Sequence, residues 1–202
     1  MKIVIVGASG RIGSRVATML SANHEVIRVG ARTGDLLCDY TDSASVNRMF
    51  EQTGAFDALI AVVGGDSVFK GYRDLVDEDF RFGFERKFLC QVRLVRLGEE
   101  FARDRASFTL SSGFLSQYPN EASIATGPLN AAVDTFVQNT APLLPRNLRL
   151  NVVSPAPVDE VGQEHKGLIT ADQAAEAYVS AVEGDVTGEV LRVWGGLPVP
   201  CD

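Results

Sequence analysis

Short continuous apolar runs alternate along the chain with longer stretches whose apolar positions recur every three or four residues. Ile3 to Val6 is four β-branched residues in a row, which predicts a buried strand. Arg11 to Ala22 carries Ile12, Val16 and Met19/Leu20 on one face and predicts a helix. A second strand follows at Glu25 to Val29. Ser43 is placed to cap a helix that runs to about Gln52 and stops at Gly54. Asp57 to Val63 is a third strand, ending in Gly64-Gly65. Asp77 opens a long helix that continues to about Asp104, and Ser107 to Ser111 is strand-like. Leu129 to Leu143 is helical, with Val133, Phe136, Val137 and Thr140 on one face. Leu148 to Ser154 is a strand stopped by Pro155, Thr170 caps a helix through about Glu183, and Glu189 to Val193 is the last strand. Strand and helix alternate without a hairpin signal. That pattern predicts an α/β fold: a doubly wound parallel sheet between two helical layers, in a single domain spanning residues 1–202.

Composition narrows the picture without changing it. The 202 residues are 46% hydrophobic and 22% charged, which suits one soluble domain with a sizeable core. No repeat, low-complexity tract or linker divides the chain. No apolar run approaches a membrane span, and the apolar run at the N-terminus is too short for a signal peptide. The net charge of −7 disfavours a nucleic-acid or anionic-membrane partner. Three widely spaced cysteines (Cys38, Cys90, Cys201) and only two histidines fit neither a disulfide framework nor a metal site. They point to a reducing, cytoplasmic setting.

The chemistry begins directly after the first strand, at Gly7-Ala-Ser9-Gly10-Arg11-Ile12-Gly13. A glycine triplet alone is weak, but this one links a strand to a helix. There, glycine permits the tight turn, lets a pyrophosphate approach the backbone, and lets helix and strand pack closely, while the helix N-terminus supplies N–H groups. The expected ligand is a dinucleotide and the expected fold Rossmann-like. An NAD site places an acid at the tip of the second strand. Here the chain reads Arg28-Val-Gly30-Ala-Arg32-Thr33, with no acid. Arg32 stands where a 2′-phosphate would sit, with Thr33 as a second donor and Arg11 nearby, so NADP(H) is favoured over NAD(H). Asp39-Tyr40 is placed to meet the adenine edge.

Taken together, these segments resemble the short-chain dehydrogenase/reductase family, and the resemblance covers nearly the whole chain. The glycine turn matches the family's, and Cys38-Asp39-Tyr40-Thr41-Asp42 is similar to its adenine-side segment. Ala61-Val62-Val63-Gly64 stands where many members read Asn-Asn-Ala-Gly. Leu110-Ser111-Ser112-Gly113 resembles the strand end that carries the active-site serine, and Asn151-Val-Val-Ser-Pro155 resembles the Asn-x-Val-x-Pro-Gly segment. Thr187 to Gly196 is similar to the closing strand. The resemblance implies hydride transfer between a nicotinamide and a small carbonyl or alcohol. It implies a serine on the carbonyl oxygen, a tyrosine as proton donor, a lysine four residues later, and a helix asparagine.

The decisive motif is altered. Where Tyr-x-x-x-Lys is expected, the chain reads Thr126-Gly-Pro-Leu-Asn130, and Tyr-x-x-x-Lys occurs nowhere in it. Threonine is a far poorer acid than a phenol. The helix segment aligned with the family's asparagine reads Lys87-Phe-Leu-Cys90, so lysine and asparagine have exchanged places. The expectation is that Lys87 points into the cofactor pocket and supplies the missing charge. Ser112, or Ser111 beside it, is the candidate to hold a carbonyl oxygen. Tyr118 is a candidate substitute acid, Asn130 a ribose or Lys87 partner, and Thr126 a small hydroxyl near the nicotinamide. Gly7, Ser9, Gly10, Arg11, Ile12, Gly13, Arg32, Thr33, Asp39, Tyr40, Val63, Gly64 and Pro155 form the expected cofactor set.

Two other functions remain open beside an NADP(H)-dependent oxidoreductase. One is a nucleotide-binding sensor or interaction protein without turnover; the other is a reductase of flavins or related conjugated acceptors. The resemblance implies a homodimer or homotetramer, with Phe80, Phe84, Phe88, Val92 and Val95 of the long helix beside Phe136 and Val137. Only 31 residues separate Pro155 from Thr187, where the family places a substrate cover, which predicts a trimmed cover and an open site.

Overall fold

The computed structural model describes residues 1–65, 68–159 and 168–198. Seven strands form one sheet in the order β3-β2-β1-β4-β5-β6-β7. They are β1 (Lys2–Val6), β2 (Glu25–Gly30), β3 (Leu36–Leu37), β4 (Phe56–Ala61), β5 (Ala102–Ser111), β6 (Arg149–Pro155) and β7 (Val190–Val193). Every pairing between them is parallel.

A parallel sheet needs both faces covered, and the apolar runs supply both at once. Val4 and Val6 of β1, with Leu59 and Ala61 of β4, face one core. That core is closed by α2 (Ser43–Thr53), α4 (Cys90–Gly98) and α5 (Thr126–Thr140). The alternate residues Ile3, Ile5, Ala58 and Ile60 face the second core, under α1 (Arg11–Leu20) and α6 (Ala171–Glu183). The expected single, doubly wound Rossmann-like domain is what forms. No helix among the described residues is long and apolar enough to cross a membrane.

Two local expectations are corrected, and one short strand is new. The cap of α2 is Asp42, whose carboxylate accepts from the Ala44 and Ser45 amides, and not Ser43. The short strand β3 gave no pattern of its own, being two residues paired to Val29 and Gly30. The long helix stops at Gly98 rather than near Asp104. A Cβ at Gly98 would lie 2.8 Å from Phe50 and 3.1 Å from Phe108, so the helix end packs tightly on the core. Arg103 to Arg105, charged enough to pass for helix surface, are the exposed opening residues of β5, where Arg103 pairs with Asp57 at 2.9 Å.

That long helix is also not uniform. It comprises α3 (Asp77–Gly83), a π-helical turn at Phe84–Leu89, and α4. π turns often mark functional positions, and Lys87 lies inside this one.

Candidate active site

The chain leaves β1 toward β2 on one side and meets β4 on the other, so a crevice opens at their C-terminal ends. The glycine turn lines its floor. Gly7 has φ +87°, and a Cβ there would lie 2.1 Å from the Val62 carbonyl oxygen. A Cβ on Gly13 would lie 2.2 Å from the Gly7 oxygen. Gly10, the N-cap of α1, makes no side-chain cap, so the first turn of the helix presents its amides outward. At the tip of β2, a Cβ on Gly30 would meet the Thr33 carbonyl at 2.2 Å and the Ser9 hydroxyl at 3.5 Å. The tight packing brings Ser9 and Thr33 together, and Arg32 and Thr33 are exposed beside them. The cradle fits a dinucleotide: it is bare backbone where a pyrophosphate would approach, with a basic tip where an adenosine ribose would follow.

The other expected nucleotide contacts are distributed differently. Arg11 does not face the β2 tip. Its guanidinium donates to the Val158 and Asp159 carbonyls at 3.1 and 3.4 Å, across the cleft mouth. Asp39 accepts from the amide and hydroxyl of Thr41, which hold its carboxyl below the usual carboxylate range. Arg93 ties this adenine-side segment to the long helix, donating to the Tyr40 carbonyl, the Ser43 hydroxyl and Glu85.

Beyond the glycine turn lies a cleft of about 570 Å³. It is lined by Gly10, Arg11, Ile12, Val63, Gly64, Lys87, Ser112, Thr126, Asn130 and Pro155, among others. Residues from six separate chain segments thus meet in one cleft. Lys87 is 8% exposed, and its ammonium donates to the Ser112 carbonyl at 3.1 Å. A Cβ on Gly64 would lie 2.3 Å from the Lys87 Cδ, so the lysine stem runs across bare backbone. Burial pushes the Lys87 pKa down to about 8, with the nearby Asp134 pulling the other way.

The two serines divide cleanly. Ser111 donates to the Ala61 carbonyl at 2.5 Å and shares a 2.6 Å hydrogen bond with the Tyr178 hydroxyl, which occupies it structurally. Ser112 is anchored through its backbone, its amide donating to the Val153 carbonyl at 2.9 Å. Its hydroxyl is buried and makes no hydrogen bond of normal geometry among the described residues. Asn130 packs against Gly113, where a Cβ would lie 3.0 Å from its Nδ2.

Two candidates are engaged otherwise. Thr126 donates its hydroxyl to the Val68 carbonyl at 3.0 Å, fixing the segment that brings Phe69 to the cleft. Tyr118 is not among the cleft-lining residues. It stacks on Phe114, meets Trp194 edge-on, and donates its hydroxyl to the Pro198 carbonyl.

Sequence reasoning missed Gln91, Asp134 and Tyr178. Gln91 is fully buried and grips Ser111 at both amide and carbonyl, while also donating to the Lys87 carbonyl. Its signal was polarity at the position four after Lys87, on a helix face that is otherwise apolar. Thr126, Asn130 and Asp134 make the same kind of stripe on α5, at i, i+4 and i+8.

Crevice, glycine cradle and switch point together define a Rossmann-type dinucleotide-binding protein. A model of the NAD dependent epimerase/dehydratase family matches residues 3–132, and the chain belongs to that family. Similar solved structures include protein lin1944 from Listeria innocua, at 33% identity and TM-score 0.91, with 96% of this chain and 100% of that one covered. A small-chain dehydrogenase is 29% identical with TM-score 0.85, and another, in complex with NADPH, is 27% identical with TM-score 0.87; both are covered to 97%, as is this chain. Curated proteins give no sequence match. The chain is a short member of the short-chain dehydrogenase/reductase group, in the class of nicotinamide-nucleotide-dependent oxidoreductases.

Proposed function

We propose that the chain is an NADP(H)-dependent oxidoreductase acting on a small carbonyl or alcohol, with Lys87, Ser112 and Asn130 replacing the usual tyrosine–lysine set. The observation that carries this reading is Lys87, a buried amine in the cleft, hydrogen-bonded to the backbone of Ser112, whose own buried hydroxyl makes no hydrogen bond of normal geometry among the described residues. A bound nicotinamide supplies or accepts the hydride. The chain's residues do the rest. The amides of the first turn of α1 hold the pyrophosphate, and Arg32 and Thr33 bind the 2′-phosphate. The NADPH complex of a 27% identical small-chain dehydrogenase supports that preference. Ser112 directs its hydroxyl to the carbonyl oxygen. The Lys87 ammonium stabilises negative charge developing there and binds the nicotinamide ribose with Asn130.

Fluorescence titration with NADPH and NADH tests the cofactor assignment. The wild type is expected to bind NADPH more tightly. Arg32→Ala should weaken NADPH by roughly tenfold or more, the loss of one charge-assisted contact, and leave NADH unchanged. Equal loss for both nucleotides would remove Arg32 from phosphate recognition. Absorbance at 340 nm with aldehydes, ketones and free flavin then tests the reaction. Binding without turnover selects the sensor reading, and turnover of flavin alone selects the flavin reductase.

We also infer that a second copy covers the face between the π turn and α5. An open groove of about 520 Å³ there is lined by Phe88, Ala131, Ala132, Thr135 and Phe136. Phe84, Phe88 and Phe136 form a continuous aromatic row, with centroids 5.0 and 6.0 Å apart. Light scattering should give a dimer or tetramer for the wild type and a smaller species for Phe136→Glu. A monomeric wild type would discard this interface.

A further inference from the structure

Behind the wall of the cleft, Asp134 of α5 occupies a position that the usual chemistry of this fold leaves unexplained. Ser116 donates to its Oδ2 at 3.4 Å, and Lys87 and Arg192 act on it electrostatically. Asp134 Oδ1 and Ser112 Oγ are both buried, and neither makes a hydrogen bond of normal geometry among the described residues. The serine nevertheless lies close enough to favour the ionised carboxylate. Two unsatisfied buried polar groups side by side are costly. Ser112 lines the cleft, while Asp134 is half-buried and is not among the cleft-lining residues.

We propose that Asp134 is the proton reservoir of the site, acting through Ser112 and touching neither substrate nor nucleotide. The proposal rests on the oxidoreductase reading above. In the reducing direction the carbonyl carbon gains a hydride from a reduced nicotinamide, and the π bond to oxygen opens. The oxygen takes the Ser112 hydroxyl proton as Ser112 takes the Asp134 carboxyl proton. The carboxylate is then reprotonated from solvent on the Ser116 side. In the oxidising direction the same protons run backward, with the carboxylate as base. A Ser112–Asp134 relay thereby supplies what the missing phenol would have supplied, by a route that does not need Thr126 or Tyr118.

Burial raises the Asp134 pKa, while Ser112 first, then Ser116, Arg192 and Lys87, oppose the shift. Those four act on it from the β5 end, the segment after it, β7 and the π turn. Carbonyl reduction should therefore slow as pH rises through the Asp134 titration. Lys87, which titrates near pH 8, contributes a separate limb.

Asp134→Asn tests the relay with two kinds of readout. In kinetics on the fastest carbonyl of the panel, the variant should lose roughly 10²-fold in kcat at the acid end, with KM little changed, and lose the Asp134 limb of the pH profile. Asp134→Glu should restore part of both. Independently of activity, thermal unfolding should show Asp134→Asn gaining on the wild type as pH rises above the ordinary carboxylate range. A raised carboxyl pKa costs the native state stability there, and the amide carries no such cost. Carbon NMR of the carboxyl in a Ser112→Ala protein should give a still higher pKa. An active wild type with an unchanged Asp134→Asn profile overturns the relay alone. So does a variant destabilised at every pH, since the carboxylate would then be a structural ion-pair partner. A wild type that neither binds nor uses nicotinamide nucleotides overturns the oxidoreductase reading and the relay with it.

Discussion

Gly10→Ala should remove tight nucleotide binding and leave the fold standing, whereas Gly7→Ala should damage the fold itself. The two glycines lie three residues apart in one turn, but they answer to different physics. Gly10 has φ −73° and ψ 169°, which any residue adopts, and its Cβ would come no nearer than 3.3 Å to the Gly7 oxygen. The protein takes that methyl with a shift of a few tenths of an ångström at the Gly7 carbonyl; an approaching pyrophosphate does not, because Gly10 lines the cleft at the head of α1. Unfolding of Gly10→Ala should stay within about 0.5 kcal/mol of the wild type, while the dissociation constant rises by roughly a hundredfold or more, about 3 kcal/mol. Gly7 combines φ +87° with a Cβ 2.1 Å from the Val62 carbonyl oxygen. Alanine there must push β1 and β4 apart at the point where the crevice begins, at a cost of roughly 2–4 kcal/mol. Urea unfolding and NADPH titration of both variants check the contrast. A Gly10→Ala protein that binds normally would mean that the cradle is not the nucleotide site.

Lys87→Met should make the protein more stable and nearly inactive. Lowering a lysine pKa from 10.5 to about 8 by burial means that the native state pays to keep the ammonium below pH 8. The sign follows from linkage. The cost is full below the folded pKa and vanishes above the unfolded one, so near neutrality it amounts to roughly 3 kcal/mol. Methionine keeps the apolar stem over Gly64 and removes the charge. The unfolding midpoint at pH 7 should rise by about 7 °C, and the gain should shrink as pH approaches 10. Turnover should fall by roughly 10²–10³-fold, as when one donor is taken from a site of developing negative charge. Wild-type activity should also decline as pH rises past about 8. A Lys87→Met enzyme with normal turnover would return Lys87 to the role of a packed helix residue.

The sheet and the nucleotide cradle were legible because both rest on local rules. β-branched runs such as Ile3 to Val6 can hardly be anything but buried strand, and a glycine triplet between strand and helix has few other uses. The exchange of lysine and asparagine was legible only through the family pattern, and its geometry is consistent with it: Lys87 and Asn130 reach the same cleft from different helices. Tyr118 shows the limit of such reasoning. A tyrosine seven residues beyond Ser111 has reach enough for the cleft, but Trp194 and Pro198, some eighty residues later, hold it outside. Asp134 and Gln91 went unread for the opposite reason. Their spacing was visible, but what they touch is set by strand ends that only the assembled sheet brings near.

The π turn at Phe84–Leu89 bears on how this helix came to carry a lysine in the cleft. A π turn holds one residue more than the α turn it replaces, so everything on one side is rotated by about 100° against the other. Phe80 and Phe82 of α3 accordingly look outward, while Leu94 and Val95 of α4 look into the core. A single-residue insertion in an ancestral helix would produce both faces in one step, changing the phase of an existing side chain without altering the core beneath it. Alignments that pass through this stretch without a gap will therefore pair side chains that point in different directions, and relatives that lack the extra residue should hold a different side chain over Gly64, just beyond β4.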